Sequence, residues 1–221
     1  MDMPGMAAMA PASWTADLSA AWLMWLLMMV AMMLPSAAPM ILVYARLART
    51  ADAQGGVVAP TLAFAGVYMA TWATFSLIAA GAQLALAHSG LVTQGALAIG
   101  DGRIAGGLLI AAGLYQLTPL KRACLSQCRS PLSFLMRLWR PGWTSALRLG
   151  LTHGLFCIGC CGLLMALLFV GGVMNLAWVA ALAVIVLFEK VAPIGDKGAT
   201  AIGAMAILAG LAAISGLPLR L

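Results

Sequence analysis

His153, Cys157, Cys160 and Cys161 stand in the segment THGLFCIGCCGLL at positions i, i+4, i+7 and i+8. At about 100° per residue they share one helix face roughly 100° wide. Thiolate sulfur and imidazole nitrogen are soft and borderline donors that select Cu(I) or zinc over calcium or magnesium, and helical i, i+4 spacing sets two of them side by side. Packing is the competing reading. Cysteine behaves as a small hydrophobe, and Gly150, Gly154, Gly159 and Gly162, which accompany this face, are the residues that let membrane helices approach. Any single cysteine is explained equally well either way. The group with His153 in register favours ligation.

A second pair, Cys124 and Cys128, lies in CLSQC. Its three intervening residues differ from the two of thioredoxin-like redox motifs and most zinc motifs. On a helical turn the two thiols face the same way. They read as a separate cytoplasmic docking site or as surface thiols beside Lys121 and Arg122, whose charges lower a thiol pKa.

Ten of the 15 methionines fall in the first 40 residues. Met28, Met29, Met32 and Met33 form pairs four residues apart in MMVAMML, while Met1, Met3, Met6 and Met9 dot the start of the chain. Thioethers favour Cu(I) and need no deprotonation. Methionine is also an ordinary filler of apolar interiors. Counted at about 1.5 Å per residue from Leu18, Met28 to Met33 lie about 15 to 22 Å in, and Cys160 lies about 18 Å beyond Arg148 from the opposite side. A mixed sulfur site near mid-bilayer is then geometrically allowed. Pro35 and Pro39 follow on the same span and are expected to kink it.

The elements that must position these residues are membrane helices. Hydrophobic residues make up 64% of the 221 and charged residues 8%, which excludes an ordinary water-soluble domain. Apolar runs bounded by charges and turn residues predict six spans near 18–47, 60–87, 103–118, 146–170, 173–190 and 199–216. The expected fold is an all-α membrane protein: a single six-helix transmembrane domain over 18–221, preceded by a methionine-rich extracytoplasmic tail at 1–17. No cationic leader precedes Trp14, so the first helix reads as retained.

The net charge of +6 reports orientation rather than nucleic acid. Arg46, Arg49, Lys121, Arg122, Arg129, Arg137, Arg140, Arg148, Lys190 and Lys197 all fall in connections on one face of a six-span chain. That places both termini outside, and the expected host is a bacterial inner membrane. Thiols at Cys124 and Cys128 would then meet a reducing compartment, where a structural disulfide is disfavoured. Pro131 to Trp143, with apolar and aromatic residues between Arg137 and Arg140, predicts a short interfacial helix that anchors in the headgroups.

Acids are scarce near the spans. Glu189, at the end of the fifth, reads as an ion-pair partner of Lys190 or Arg148, supporting the site from outside the ligand set, or as a hard ligand. A proton-coupled transporter would carry more intramembrane acids or histidines. No phosphate loop, dinucleotide fingerprint, nucleophile elbow or HExxH is present, and the chain reads as a non-enzyme. Gly102-x3-Gly106 and Gly150-x3-Gly154 read as close helix-packing faces.

MWLLMMVAMMLPSAAPMILVYAR, LYQLTPLKRACLSQCRSPLSF, LTHGLFCIGCCGLLMALLFVGGVMN and the FEK that ends the fifth span resemble a family of bacterial metal-binding integral membrane proteins, a domain of unknown function sometimes labelled copper chaperone. The resemblance covers most of the chain. It implies a metal, copper before zinc, held at the matching positions Cys124, Cys128, His153, Cys157, Cys160 and Cys161, with Met28, Met29, Met32 and Met33 as contributors. Gly162 departs from the family pattern, in which an aromatic residue often follows the cysteine pair.

Three functions follow as expectations. The first is binding and delivery or transport of Cu(I), with a metal donor or acceptor protein as partner. The second is membrane thiol–disulfide exchange between Cys124/Cys128 and the buried pair. The third is a structural subunit, as a homo-oligomer or within a larger membrane complex such as a copper enzyme.

Overall fold

A computed structural model describes residues 14–51, 58–93, 97–139, 143–192 and 195–216. The tail methionines Met1, Met3, Met6 and Met9, and Arg140, lie outside the described residues. The described chain is almost wholly helical, with a single isolated bridge between Val92 and Ile99.

Chain order is α1 (Trp14–Ala51), α2 (Val58–His88), α3 (Gly102–Gln116), α4 (Pro119–Arg129), α5 (Pro131–Leu138), α6 (Trp143–Ala166), α7 (Leu168–Gly171), α8 (Leu176–Val191) and α9 (Gly195–Ile214). Local chemistry sets several starts. Asp101 accepts from the backbone N–H groups of Arg103 and Ile104 at the head of α3. Thr118 caps α4 ahead of Pro119, and Asn175 caps α8. Each satisfies an N–H that the first turn leaves without a helical partner. Gly172, at φ 93°, ends α7, a conformation side chains with a Cβ rarely adopt.

Four stretches are long and apolar enough to cross a membrane: Thr15–Thr50, Val58–His88, Trp143–Gly171 and Lys197–Ile214. The other two expected spans are shorter. α3 has 15 residues and α8 has 16, about 22 to 24 Å at 1.5 Å per residue. α1 continues through Pro35 and Pro39. These prolines deprive the carbonyls of Ala31 and Pro35 of their helical donors.

Glycines set the closest approaches. A Cβ on Gly106 would lie 2.6 Å from the carbonyl oxygen of Gly210, and one on Gly113 would lie 2.6 Å from that of Gly203. α3 therefore packs backbone against backbone on α9. On α6, a Cβ at Gly150 would meet the Phe64 carbonyl at 2.5 Å, and one at Gly154 the Thr71 hydroxyl at 2.7 Å. Both small-residue patterns act as helix-packing faces within the chain.

α5, expected as a headgroup anchor, also has a side turned to the protein. Phe134 and Leu135 are buried with Met40, Tyr44, Phe64 and Leu149, while Leu132 and Met136 stay exposed. The helix covers one end of the α1–α2–α6 packing because half of its apolar residues have a protein partner to bury against.

Candidate metal centre

The i, i+3, i+4 spacing of Cys157, Cys160 and Cys161 in α6 brings their Sγ atoms within 4.8 Å of one another, all buried. The Cys160 and Cys161 thiols each lie against the Cys157 carbonyl oxygen, at 3.2 and 3.0 Å. Two further sulfurs join from other helices. Cys161 Sγ is 3.9 Å from Met33 Sδ of α1, and Cys160 Sγ is 3.8 Å from Cys128 Sγ of α4. Five sulfur atoms from three helices thus form one connected group. All five cysteines are free thiols.

The separation expected between a cytoplasmic Cys124/Cys128 pair and a mid-helix cluster does not hold, because α4 folds back against α6. An ideal Cβ on Gly159 would lie 2.8 Å from Cys124 Sγ, so this glycine lets α4 close in. Burial pushes the half-buried Cys124 thiol up, the nearby Cys160 adds to this, and Lys121 opposes it. The lowering expected from Lys121 is overcome by burial.

Lys121 is committed elsewhere. Its ammonium lies 2.6 Å from Glu189 Oε2, with both side chains almost fully buried, and Gln116 Nε2 donates to Glu189 Oε1 at 2.6 Å. The partner of Glu189 is therefore Lys121, neither Lys190 nor Arg148. Adjacent residues on a helix point about 100° apart, so Glu189 and Lys190 serve different neighbours. Arg129 Nη2 donates to the Ala192 carbonyl at 2.6 Å. These contacts fasten both ends of α4 to α8 and hold Cys128 against the cluster.

Lys190 is the residue that sequence reasoning missed. Its Nζ lies 3.0 Å from Cys157 Sγ and donates to Ser36 Oγ at 2.9 Å. Ser36 in turn donates to the Met33 carbonyl at 2.9 Å. The Tyr68 hydroxyl sits 3.2 Å from the same sulfur. The available signal was the placement of FEK at a helix end, where Lys190 cannot face Glu189.

His153 lies outside the three-thiol group. It is buried, stacked on Tyr68 with ring centroids 5.2 Å apart and on Phe64 at 6.1 Å, and meets the edge of Phe134 at 5.8 Å. Its Nδ1 has no hydrogen-bond partner among the described residues. Tyr68 connects the two layers, touching the imidazole with its ring and Cys157 with its hydroxyl. Of the four methionines singled out, Met33 reaches a thiol. Met29 and Met32 are buried in the same core, and Met28 packs at its edge.

Soft donors gathered around three buried thiols, on α1 and α6, which are long and apolar enough to cross a membrane, and on the shorter α4, define a candidate centre for a soft metal ion. A family model described as PpoB2, copper chaperone, matches residues 22–213, and the chain belongs to that family. No curated protein and no solved structure matches the chain.

Proposed function

We infer that this is an integral membrane protein that binds Cu(I) among Cys157, Cys160 and Cys161, two of them, Cys157 included, as thiolates, and passes it to or from a partner protein. The observation that carries this reading is the convergence of these three buried Sγ atoms within 4.8 Å. Cys128 and the Met33 thioether extend the donor set. A thioether beside thiolates favours Cu(I) over zinc, whose sites draw on thiolate, imidazole and carboxylate. Glu189, the nearest carboxylate in the sequence, is held in its ion pair with Lys121. His153 and Cys124 contribute from beside the cluster, the imidazole one helical turn from Cys157.

Membrane insertion is supported by the four long apolar helices and by outward-facing Leu27, Leu62, Ile78, Leu155, Val184 and Leu208. Such a surface has no counterpart in a water-soluble monomer. In the proposed topology α3 and α8 complete six crossings. Their length falls short of a hydrocarbon core of about 30 Å, a mismatch that local bilayer thinning accommodates. Both termini face outward in a bacterial inner membrane. Lys121 and Lys190 are buried rather than facing water, so the orientation rests on the arginines at 46, 49, 122, 129, 137, 140 and 148 and on Lys197.

The test is copper content. Purified full-length protein, loaded with Cu(I) and freed of loose metal by a competing chelator, is compared with the Cys157→Ser/Cys160→Ser/Cys161→Ser variant. The wild type is expected to keep copper and the variant to lose it. Equal copper in both overturns the reading.

A second reading, thiol–disulfide exchange, is favoured by one observation, the 3.8 Å between Cys128 and Cys160 sulfurs. It requires a mixed disulfide, formed when one of these thiolates attacks a partner protein's disulfide and releases the partner's other sulfur as a thiolate, and mass spectrometry of acid-trapped membranes detects one.

A further inference from the structure

Lys190 occupies an unusual position for a cation. It is buried near the end of α8, and its neighbour Glu189 is taken by Lys121 and Gln116. The ion pair seen among the described residues is Lys121–Glu189, and among those residues no carboxylate pairs with Lys190. Its ammonium is directed instead at a sulfur, Cys157 Sγ at 3.0 Å, and is steadied by Ser36 Oγ at 2.9 Å. A buried charge persists only where an opposite charge and hydrogen bonds compensate it. The anion available here is the thiolate.

The charge arithmetic connects this arrangement with metal capture. A monovalent soft cation held by two thiolates leaves one net negative charge. In a low-dielectric interior that charge is costly by itself. One ammonium in contact with a ligating sulfur brings the total to zero. The contact also spans three helices. Lys190 comes from α8, Cys157 from α6, and Ser36 lies three residues from Met33 on α1. Ser36 both accepts from Lys190 and donates to the Met33 carbonyl. One side chain thereby sets the position of the thiolate and, through Ser36, of the turn that carries the thioether.

We propose that Lys190 is the counter-ion and positioning residue of the centre, offsetting the charge left when two cysteine thiolates hold one monovalent soft cation. The inference rests on the metal-binding reading above. It adds a residue that supplies no donor to the metal yet governs affinity, as groups hydrogen-bonded to metal ligands do.

The experiment measures Cu(I) affinity by competition with a colorimetric Cu(I) chelator, using the full chain in detergent, together with the melting temperature of the metal-free protein. Wild type, Lys190→Met and Lys190→Arg are compared. Methionine matches the length of lysine without its charge, and the Cys157 sulfur left behind is not a stranded ion, because a thiol without a cationic neighbour is neutral at about pH 7. Lys190→Met is therefore expected to lose about 10- to 100-fold in Cu(I) affinity while its metal-free melting temperature holds. Lys190→Arg is expected to bind more tightly than Lys190→Met.

Wild-type affinity in Lys190→Met overturns the inference and leaves the metal reading standing. A parallel fall in affinity and metal-free melting temperature in Lys190→Met also overturns it, assigning Lys190 a structural role. If Lys190→Met does not fold, Ser36→Ala is read instead. Loss of affinity there supports the proposal, and unchanged affinity overturns it. Absence of Cu(I) binding by the wild type removes the metal reading and the inference together.

Discussion

Replacing Glu189 by Gln should unfasten α4 from the bundle at a cost set by the burial of its partner. The Lys121 and Glu189 side chains are 0% and 2% exposed and meet at 2.6 Å. Glutamine keeps an amide oxygen that can still accept from Gln116 Nε2, so the change removes charge while sparing that hydrogen bond. It strands the Lys121 ammonium away from water, and breaking a buried pair in this way costs about 3–5 kcal/mol. By the scaling for proteins of 150–250 residues, at about 2–4 °C per kcal/mol, the melting temperature should fall by roughly 6–20 °C. The double variant Lys121→Met/Glu189→Gln removes the stranded charge as well and should recover most of the loss, since no uncompensated ion is left in the interior and the glutamine amide keeps Gln116 as a partner. Thermal unfolding of the two single variants and the double variant in one detergent gives the coupling energy directly. A single-variant loss below about 1 kcal/mol, the value of an exposed pair, would refute the reasoning. So would a double variant no more stable than Glu189→Gln.

Other expectations follow from distances around the sulfurs. Mild oxidation of metal-free protein should join Cys128 to Cys160, seen by peptide mass spectrometry, and bound Cu(I) should suppress the bond; a product dominated by Cys124 would contradict the packing of α4. Gly159→Ala brings a Cβ to 2.8 Å from Cys124 Sγ and should cost about 1–3 kcal/mol from overpacking, offset by about 1 kcal/mol of helix propensity. Gly66→Ala, where nothing lies within 4 Å, keeps the propensity gain alone, and equal melting temperatures for the two variants would count against this contact. Met33→Leu should weaken Cu(I) binding in chelator competition, whereas Met28→Leu should leave it unchanged.

Much of the helical layout was legible in the sequence because long apolar runs bounded by charges carry it. A helix lies where each of two spans was expected, α2 at 60–87 and α3 at 103–118, within two residues at each end. The cysteine face of α6 was legible for the same reason, since its positions follow from the helical period. Period alone does not tell which neighbour fills the space opposite each turn. His153 shares the face of Cys157, yet Phe64, Tyr68 and Phe134 surround it while the next turn meets thiols and an ammonium. α4 was hidden inside a basic connection whose charges read as solvated. Two of them, those of Lys121 and Arg129, instead bind α8 across more than 60 residues of chain. Contacts of that separation depend on tertiary packing, and local composition carries no signal for them.

The backbone seam between α3 and α9 bears on how the chain is built. Gly106 and Gly113 are seven residues apart, as are Gly203 and Gly210, a 3.5-residue period of the kind that winds two helices around each other in a left-handed sense. α3 is a short helix whose matching surface is supplied roughly a hundred residues later in the chain. During synthesis it must wait with its glycine groove open, and with Gln116 at its end not yet joined to Glu189, until first α8 and then α9 arrive. Truncation within α9 should therefore be felt at the opposite end of α3, as a loosened Gln116 and a less secure hold on α4.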